Sequence, residues 1–195
     1  MGTEPLNAVL LTLFYSERRM VAGRTLLQKT LYFVARRVGI ELSFKPHFYG
    51  PYSVDLAELV EGLRESGLIC QRSEPLPSYN FGASFEPRRY TYYLTDEGTV
   101  LARVIEQRRP GLAQAIRQIL ATMKQAGIED DYKSLSVAAK VHHILGSRDQ
   151  TAGTTVIEEA QKLNWSITNE EAESAARFLA LLGEVCTTAL VCEDQ

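Results

Sequence analysis

The residues best equipped for chemistry are few and poorly arranged for it. His142 and His143 are adjacent; on a helix their side chains diverge by about 100°, so the pair cannot hold one metal ion without outside ligands. His47, Tyr49 and Tyr52 gather around Gly50-Pro51 and are candidates to line a small cleft, but no nucleophile-base pair accompanies them. HExxH, paired CxxC, P-loop and GxSxG patterns are absent. The sequence therefore points away from catalysis and implies no metal and no cofactor.

A second group of residues suits binding. Lys29 and Arg36 share a helical face with Tyr32; Arg18, Arg19 and Arg24 cluster between two apparent helices; Arg72, Arg88 and Arg89 flank the base of a hairpin whose loop carries Tyr79 and Phe81. If the bases converge, Lys29, Arg36, Arg72, Arg88 and Arg89, with Tyr32 on the face of the first two, make a surface for nucleic-acid backbone or an acidic protein, and Tyr79 and Phe81 are its stacking or hydrophobic anchors. Dispersed surface arginines and a core-edge tyrosine are the plainer alternative.

The elements that must position these groups follow from periodicity. Residues 5–19 read as a helix with Val9, Leu10, Leu13 and Phe14 on one side, and residues 24–38 as a second, stopped by Gly39. An extended run from Phe44 to Tyr49 breaks at Gly50-Pro51. Ser53 then caps a helix over residues 54–66, with Leu56, Leu59, Val60 and Leu63 as its apolar stripe and Glu58, Glu61 and Glu65 pointing away. Strands are predicted at Leu68–Glu74 and Arg88–Leu94, joined by a long loop, and Thr95 caps a helix with Val100, Leu101, Val104 and Ile105 on its apolar side. Helices are predicted again at Asp131–Leu145, Thr154–Leu163 and Asn169–Leu182, the last opened by a Thr168/Glu171 capping box.

The predicted fold class is thus mainly α with a small β-hairpin (α+β): a winged-helix-like domain over residues 1–109 and a helical domain over 110–195. The boundary is placed near Arg109-Pro110-Gly111 or Gly127. The second domain has the spacing of a helix-turn-helix unit or of a plain three-helix bundle.

Across the motifs Leu27-Gln28-Lys29-Thr30-Leu31-Tyr32-Phe33, Tyr49-Gly50-Pro51-Tyr52-Ser53, Gly67-Leu68-Ile69 and Leu94-Thr95-Asp96-Glu97-Gly98, the chain resembles the YwgA-like family. More distantly, it is similar to the SocA-like (Panacea) antitoxin domains. The likeness covers residues 5–100 and extends weakly through Ala138-Ala139-Lys140-Val141-His142 and Leu163-Asn164-Trp165. It implies a winged-helix-like fold and, from the antitoxin branch, binding of a partner protein, sometimes with DNA; it supplies no catalytic residues.

Composition sets the remaining bounds. The chain has 195 residues, a net charge of −3, 45% hydrophobic and 23% charged residues, values of an ordinary globular protein. No apolar run reaches the roughly 20 residues of a bilayer crossing, no signal peptide is evident, and three cysteines make no disulfide framework. A cytoplasmic protein with no membrane partner is expected. Residues 1–110 carry 14 Lys/Arg against 12 Asp/Glu, residues 111–195 only 7 against 12, so the helices at 54–66 and 169–182 expose mainly glutamates. Duplex DNA demands a cationic surface. The expected function is accordingly a non-catalytic regulatory or interaction module with a protein partner, antitoxin-like or adaptor-like, with possible homodimers; the alternative is a double-stranded DNA-binding regulator using the wing and the basic second helix.

Overall fold

A computed structural model describes residues 3–75, 88–147 and 155–184. Among them are eight α-helices and one small antiparallel sheet, so the class is α+β. Helix α1 (Thr3–Tyr15) leads through a 3-10 turn (Glu17–Arg19) into β1 (Met20–Ala22); α2 (Arg24–Val38), α3 (Val54–Glu65), β2 (Ile69–Pro75), β3 (Arg88–Leu94) and α4 (Asp96–Arg108) follow. The acidic half supplies α5 (Pro110–Gln125), α6 (Tyr132–Ser147), α7 (Val156–Lys162) and α8 (Asn169–Leu181).

Local signals fix most of these bounds. The Ser53 hydroxyl accepts from Leu56 N and Thr95 from Gly98 N, each satisfying one of the amides that a helix start leaves unpaired. Thr168 with Glu171 closes a capping box at α8, and Thr155 with Glu158 closes a second at α7. Gly39 ends α2 in the left-handed conformation.

Three sequence expectations need correction. The first helix stops at Tyr15 rather than Arg19, because Arg18 and Arg19 adopt positive φ of 51° and 54°, which an α-helix cannot include. The hairpin is the larger part of a three-stranded sheet in the order β1-β3-β2; β1 is three residues long and exists only by pairing Met20–Ala22 with Tyr93–Thr91, so no periodicity announces it. On α4 the inward residues are Gly98, Thr99, Ala102 and Ile105, whereas Val100 is 61% exposed.

The reason for that last shift is the packing of α4 on the hairpin base. A Cβ at Gly98 would lie 1.9 Å from the Leu68 carbonyl oxygen. Thr95 adds a hydroxyl bond to Gly67 O at 2.7 Å and an amide bond to Leu68 O at 3.2 Å. The Leu94-Thr95-Asp96-Glu97-Gly98 motif is therefore a clamp joining β3, α4 and the start of β2.

The buried core runs without interruption from α1 and α2 through α5 and α6 to α8. Helix α1 packs on α4 and α5, α2 on α6, and α6 on α8. The consequence for the candidate site is direct: the segment 40–53, which links α2 to α3, meets α6 at Tyr49 and Gly50. No helix of the described residues is long and apolar enough to cross a membrane.

Candidate recognition turn

The α2–α3 connection folds back on itself. Lys45 and Tyr52 exchange both backbone hydrogen bonds at 2.9 Å, and Gly50 N donates to His47 O at 2.9 Å, closing a tight turn with Phe48 and Tyr49 at its centre. Gly50 has φ 91°, a conformation L side chains avoid. A Cβ there would also meet Lys140 Cγ at 3.0 Å and the Ser136 carbonyl oxygen at 3.3 Å.

Side chains from three places catch alternate residues of this turn. Trp165 Nε1, between α7 and α8, donates to His47 O at 2.7 Å; the Ser136 hydroxyl of α6 donates to Tyr49 O; Lys29 Nζ of α2 donates to Pro51 O at 2.5 Å. Gln28 completes the series, its amide nitrogen donating to Ser53 O at 3.0 Å and its amide oxygen accepting from Ser53 N at 3.1 Å. Buried backbone polar groups must be paired, and here side chains do what a neighbouring strand would do in a sheet.

With its backbone fixed inward, the turn presents its aromatic side chains outward. Phe48 is 72% exposed and Tyr49 48%, and their rings meet edge to face at 4.9 Å. Val54, the first residue of α3, is also exposed. Large exposed aromatics on a rigid frame are the composition of binding hot spots, since little conformational freedom remains to be lost on association.

Beneath the turn the titratable groups are perturbed. Lys29 is 1% exposed, and burial, with help from the charge of Lys140, pushes its ammonium down to about 7. Burial also lowers Lys140, against the pull of Glu171. Tyr32 is 1% exposed and bonded to His142 Nδ1 at 2.7 Å; His142 Nε2 lies 3.4 Å from Glu184. Burial pushes the Tyr32 phenol up to about 12 and holds His142 below its usual range. A neutral His142 accepting from Tyr32 and donating to Glu184 satisfies all three groups.

The binding residues anticipated from sequence are scattered by the fold. Lys29 and Tyr32 are buried, which removes them from any exposed basic face. Arg36 is exposed, with its guanidinium 5.5 Å from the Tyr32 ring centre. Register divides the hairpin arginines, because directly opposed residues share a face. Arg88, opposite Pro75, lies on the Tyr90 and Tyr92 side and bonds the Ser73 hydroxyl at 3.1 Å; Arg24 stacks over Tyr90 on the same side at 4.1 Å. Arg72 and Arg89 lie on the other side, Arg72 over Tyr93 at 5.2 Å and Arg89 directly opposite Glu74. Tyr79 and Phe81 fall outside the described residues.

The anticipated cleft is also only partly assembled. Tyr52 lines a groove of about 150 Å³ with Arg24, Gln28, Glu61, Gln71 and Tyr92, but His47 and Tyr49 are not in its wall. His47 instead lies against Tyr52 with ring centres 5.3 Å apart. On α3, Glu58, Glu61 and Glu65 are exposed, and Arg64, its one base, is tied to Glu61.

The sequence reading missed Phe48, Gln28, Ser136, Lys140 and Trp165 as a group. A partial signal existed in Trp165, the one tryptophan of the chain, set between two helices; its target, 118 residues earlier, was not legible.

No family model matches this chain. Among curated proteins, it is similar to the uncharacterized protein YwgA of Bacillus subtilis (strain 168), with 24% identity over 174 residues, spanning 88% of this chain and 93% of the relative.

Proposed function

We propose that this chain is a non-catalytic, winged-helix-like interaction module that recognises a protein partner through the Phe48–Tyr49 turn. The observation that carries the reading is the capture of His47, Tyr49, Pro51 and Ser53 by Trp165, Ser136, Lys29 and Gln28, which leaves an exposed aromatic pair on a backbone with little freedom. The order helix, strand, helix, helix, hairpin, with its β1-β3-β2 sheet, supports assigning residues 1–109 to a winged-helix-like unit with 110–195 as its buttress. An adaptor-like or antitoxin-like role suits such a module.

Duplex DNA binding is the second reading, and the hairpin arginines favour it. It is the weaker one. The helix that would enter a major groove is α3, and its exposed face carries Glu58, Glu61 and Glu65, while Arg72 and Arg88 face opposite sides of the hairpin.

Two parallel measurements test the choice. Capture from host-cell lysate compares the wild type with a Phe48→Ser/Tyr49→Ser variant, and fluorescence anisotropy follows a labelled random duplex at low and moderate salt. A protein retained by the wild type and lost from the variant is expected, with no duplex binding at micromolar concentrations. Duplex affinity that collapses with salt and is indifferent to the turn variant, but falls with Arg88→Ala, would overturn it.

A further inference from the structure

Gly50 is packed between two lysine side chains that come from different helices. From its would-be Cβ, Lys140 Cγ of α6 is 3.0 Å away and Lys29 Cε of α2 is 3.5 Å away. Lys29 Nζ has the Pro51 carbonyl as its bonded partner, and among the described residues the charged group acting on it is Lys140, another cation. The other neighbours are already committed: Gln28 to Ser53, Ser136 to Tyr49, and Glu171 of α8 acts on Lys140 rather than on Lys29. The histidines of the surrounding elements meet Trp165 instead: the His143 ring of α6 is 6.0 Å from the indole, and the His47 carbonyl of the turn accepts from its N–H.

A neutral amine suits this place. It donates one hydrogen to Pro51 O and asks for little else. An ammonium brings three donors and a full charge into a place where, among the described residues, its bonded acceptor is one carbonyl and the charged group acting on it is a second cation, so it is driven toward water. The absent side chain of Gly50 is what lets both lysine stems lie this close to the turn.

We propose that Lys29 is a proton-operated latch: neutral, it holds the Tyr49–Gly50–Pro51 segment against α2 and α6, and protonated, it releases that segment and loosens the aromatic tip. The ordinary value for a lysine would keep it charged throughout the physiological range; the burial described above brings its titration to about 7, where modest acidification acts on it. The effect on partner binding rests on the reading of this turn as the recognition element, but the latch itself does not, and it can be tested on the protein alone.

The chain provides its own reporter, because Trp165 is its one tryptophan and its indole N–H is bonded to the turn at His47 O. Emission wavelength and acrylamide quenching of Trp165 should be followed from pH 5.5 to 9. The wild type is expected to pass through one transition near neutrality, with greater quenching on the acid side. Lys29→Met should abolish the transition, Lys140→Gln should move its midpoint to higher pH, and His143→Gln and His47→Gln should leave it in place. A transition that persists in Lys29→Met, or disappears with either histidine, overturns the latch. Should Lys29→Met fail to fold, the carbon-13 shift of the Lys29 Cε in the wild type decides: a midpoint near 7 supports the latch, and one near 10 refutes it. Loss of partner capture in the Phe48/Tyr49 variant is independent of all these outcomes, so the two ideas fail separately.

Discussion

The hairpin base and the Phe48–Tyr49 turn are both clamped to helices through a glycine, but by different kinds of contact. At the hairpin, Gly98 lets α4 close on the Leu68 carbonyl and Thr95 ties both strands to the helix, with uncharged partners throughout. At the turn, the grip comes from long polar side chains of distant elements, and one of them, Lys29, is a buried amine with no countercharge among the described residues. The first clamp is insensitive to pH in the neutral range. The second has a charge state that depends on it. The same α+β framework thus holds one part of itself by steric fit and another by hydrogen bonds that protonation can disturb.

The largest effects are expected at the two glycines. Gly98→Ala forces a methyl group into a backbone oxygen, so a loss of about 3 kcal/mol or more is expected in urea unfolding, since overpacking against main chain has no flexible partner to give way. Gly50→Ala meets the flexible Lys140 stem as well as backbone and adds a positive-φ cost, for which about 2 kcal/mol is expected. If Gly50→Ala proved the more damaging, the turn and not the hairpin would be the better-fixed region.

A smaller effect separates the hydrogen bonds from the packing. Trp165→Phe keeps most of the buried ring area and removes the donor to His47 O, so a loss of about 1–2 kcal/mol is expected, together with weaker partner binding. An unchanged affinity would mean that the aromatic tip does not depend on its frame.

A pH dependence is expected of the turn clamp alone. Unfolded Lys29 keeps its proton up to its ordinary value of 10.5, while the folded protein sheds it above about 7. Between those values the unfolded state binds more protons, so stability rises with pH; below about 7 both states are protonated and the contribution is flat at its lowest. Urea midpoints should therefore climb from pH 7 to 9 in the wild type and climb less in Lys29→Met, where only the rise contributed by the burial-lowered Lys140 is left. His142, held low by burial, adds a rise that ends near 6.5, and Tyr32, pushed up to about 12, begins to lower stability only above 10, so neither enters that window.

The smallest effect on stability is expected at the tip. Phe48→Ser removes a ring that is 72% exposed and should move the urea midpoint by less than about 0.5 kcal/mol equivalent. Its effect on partner affinity should exceed tenfold. A comparable loss in both would make Phe48 a packing residue.

What could be read in advance was whatever a segment encodes for itself. The α2 and α3 boundaries, the caps at Ser53, Thr95 and Thr168, and the strand Arg88–Leu94 depend on neighbours within a few residues, so periodicity and capping chemistry found them. The candidate site was legible only as a Tyr-Gly-Pro turn with aromatics. Lys29 and Tyr32 seemed suited to an exposed face because their types are polar at one end; the placement of α6 on α2 buries both. The hairpin arginines were grouped by sequence proximity and then parted by strand register, since a pleated strand sends successive side chains to opposite faces.

By itself, then, the sequence determined most of the helices, the ends of α2 and α3, the hairpin strands and the acidic face of α3, because each follows from local hydrogen bonding and from the segregation of apolar residues onto one side of an element. It left α5 unread and carried α1 past its end at Tyr15. The tertiary structure alone decided the pairing of β1, the capture of the turn by Trp165, Ser136, Lys29 and Gln28, and the burial of an amine beside a second cation. Those contacts join residues from 22 to 118 positions apart, and a side chain's partner and solvation at such separations are set by how the helices pack, which no local pattern of residue types records.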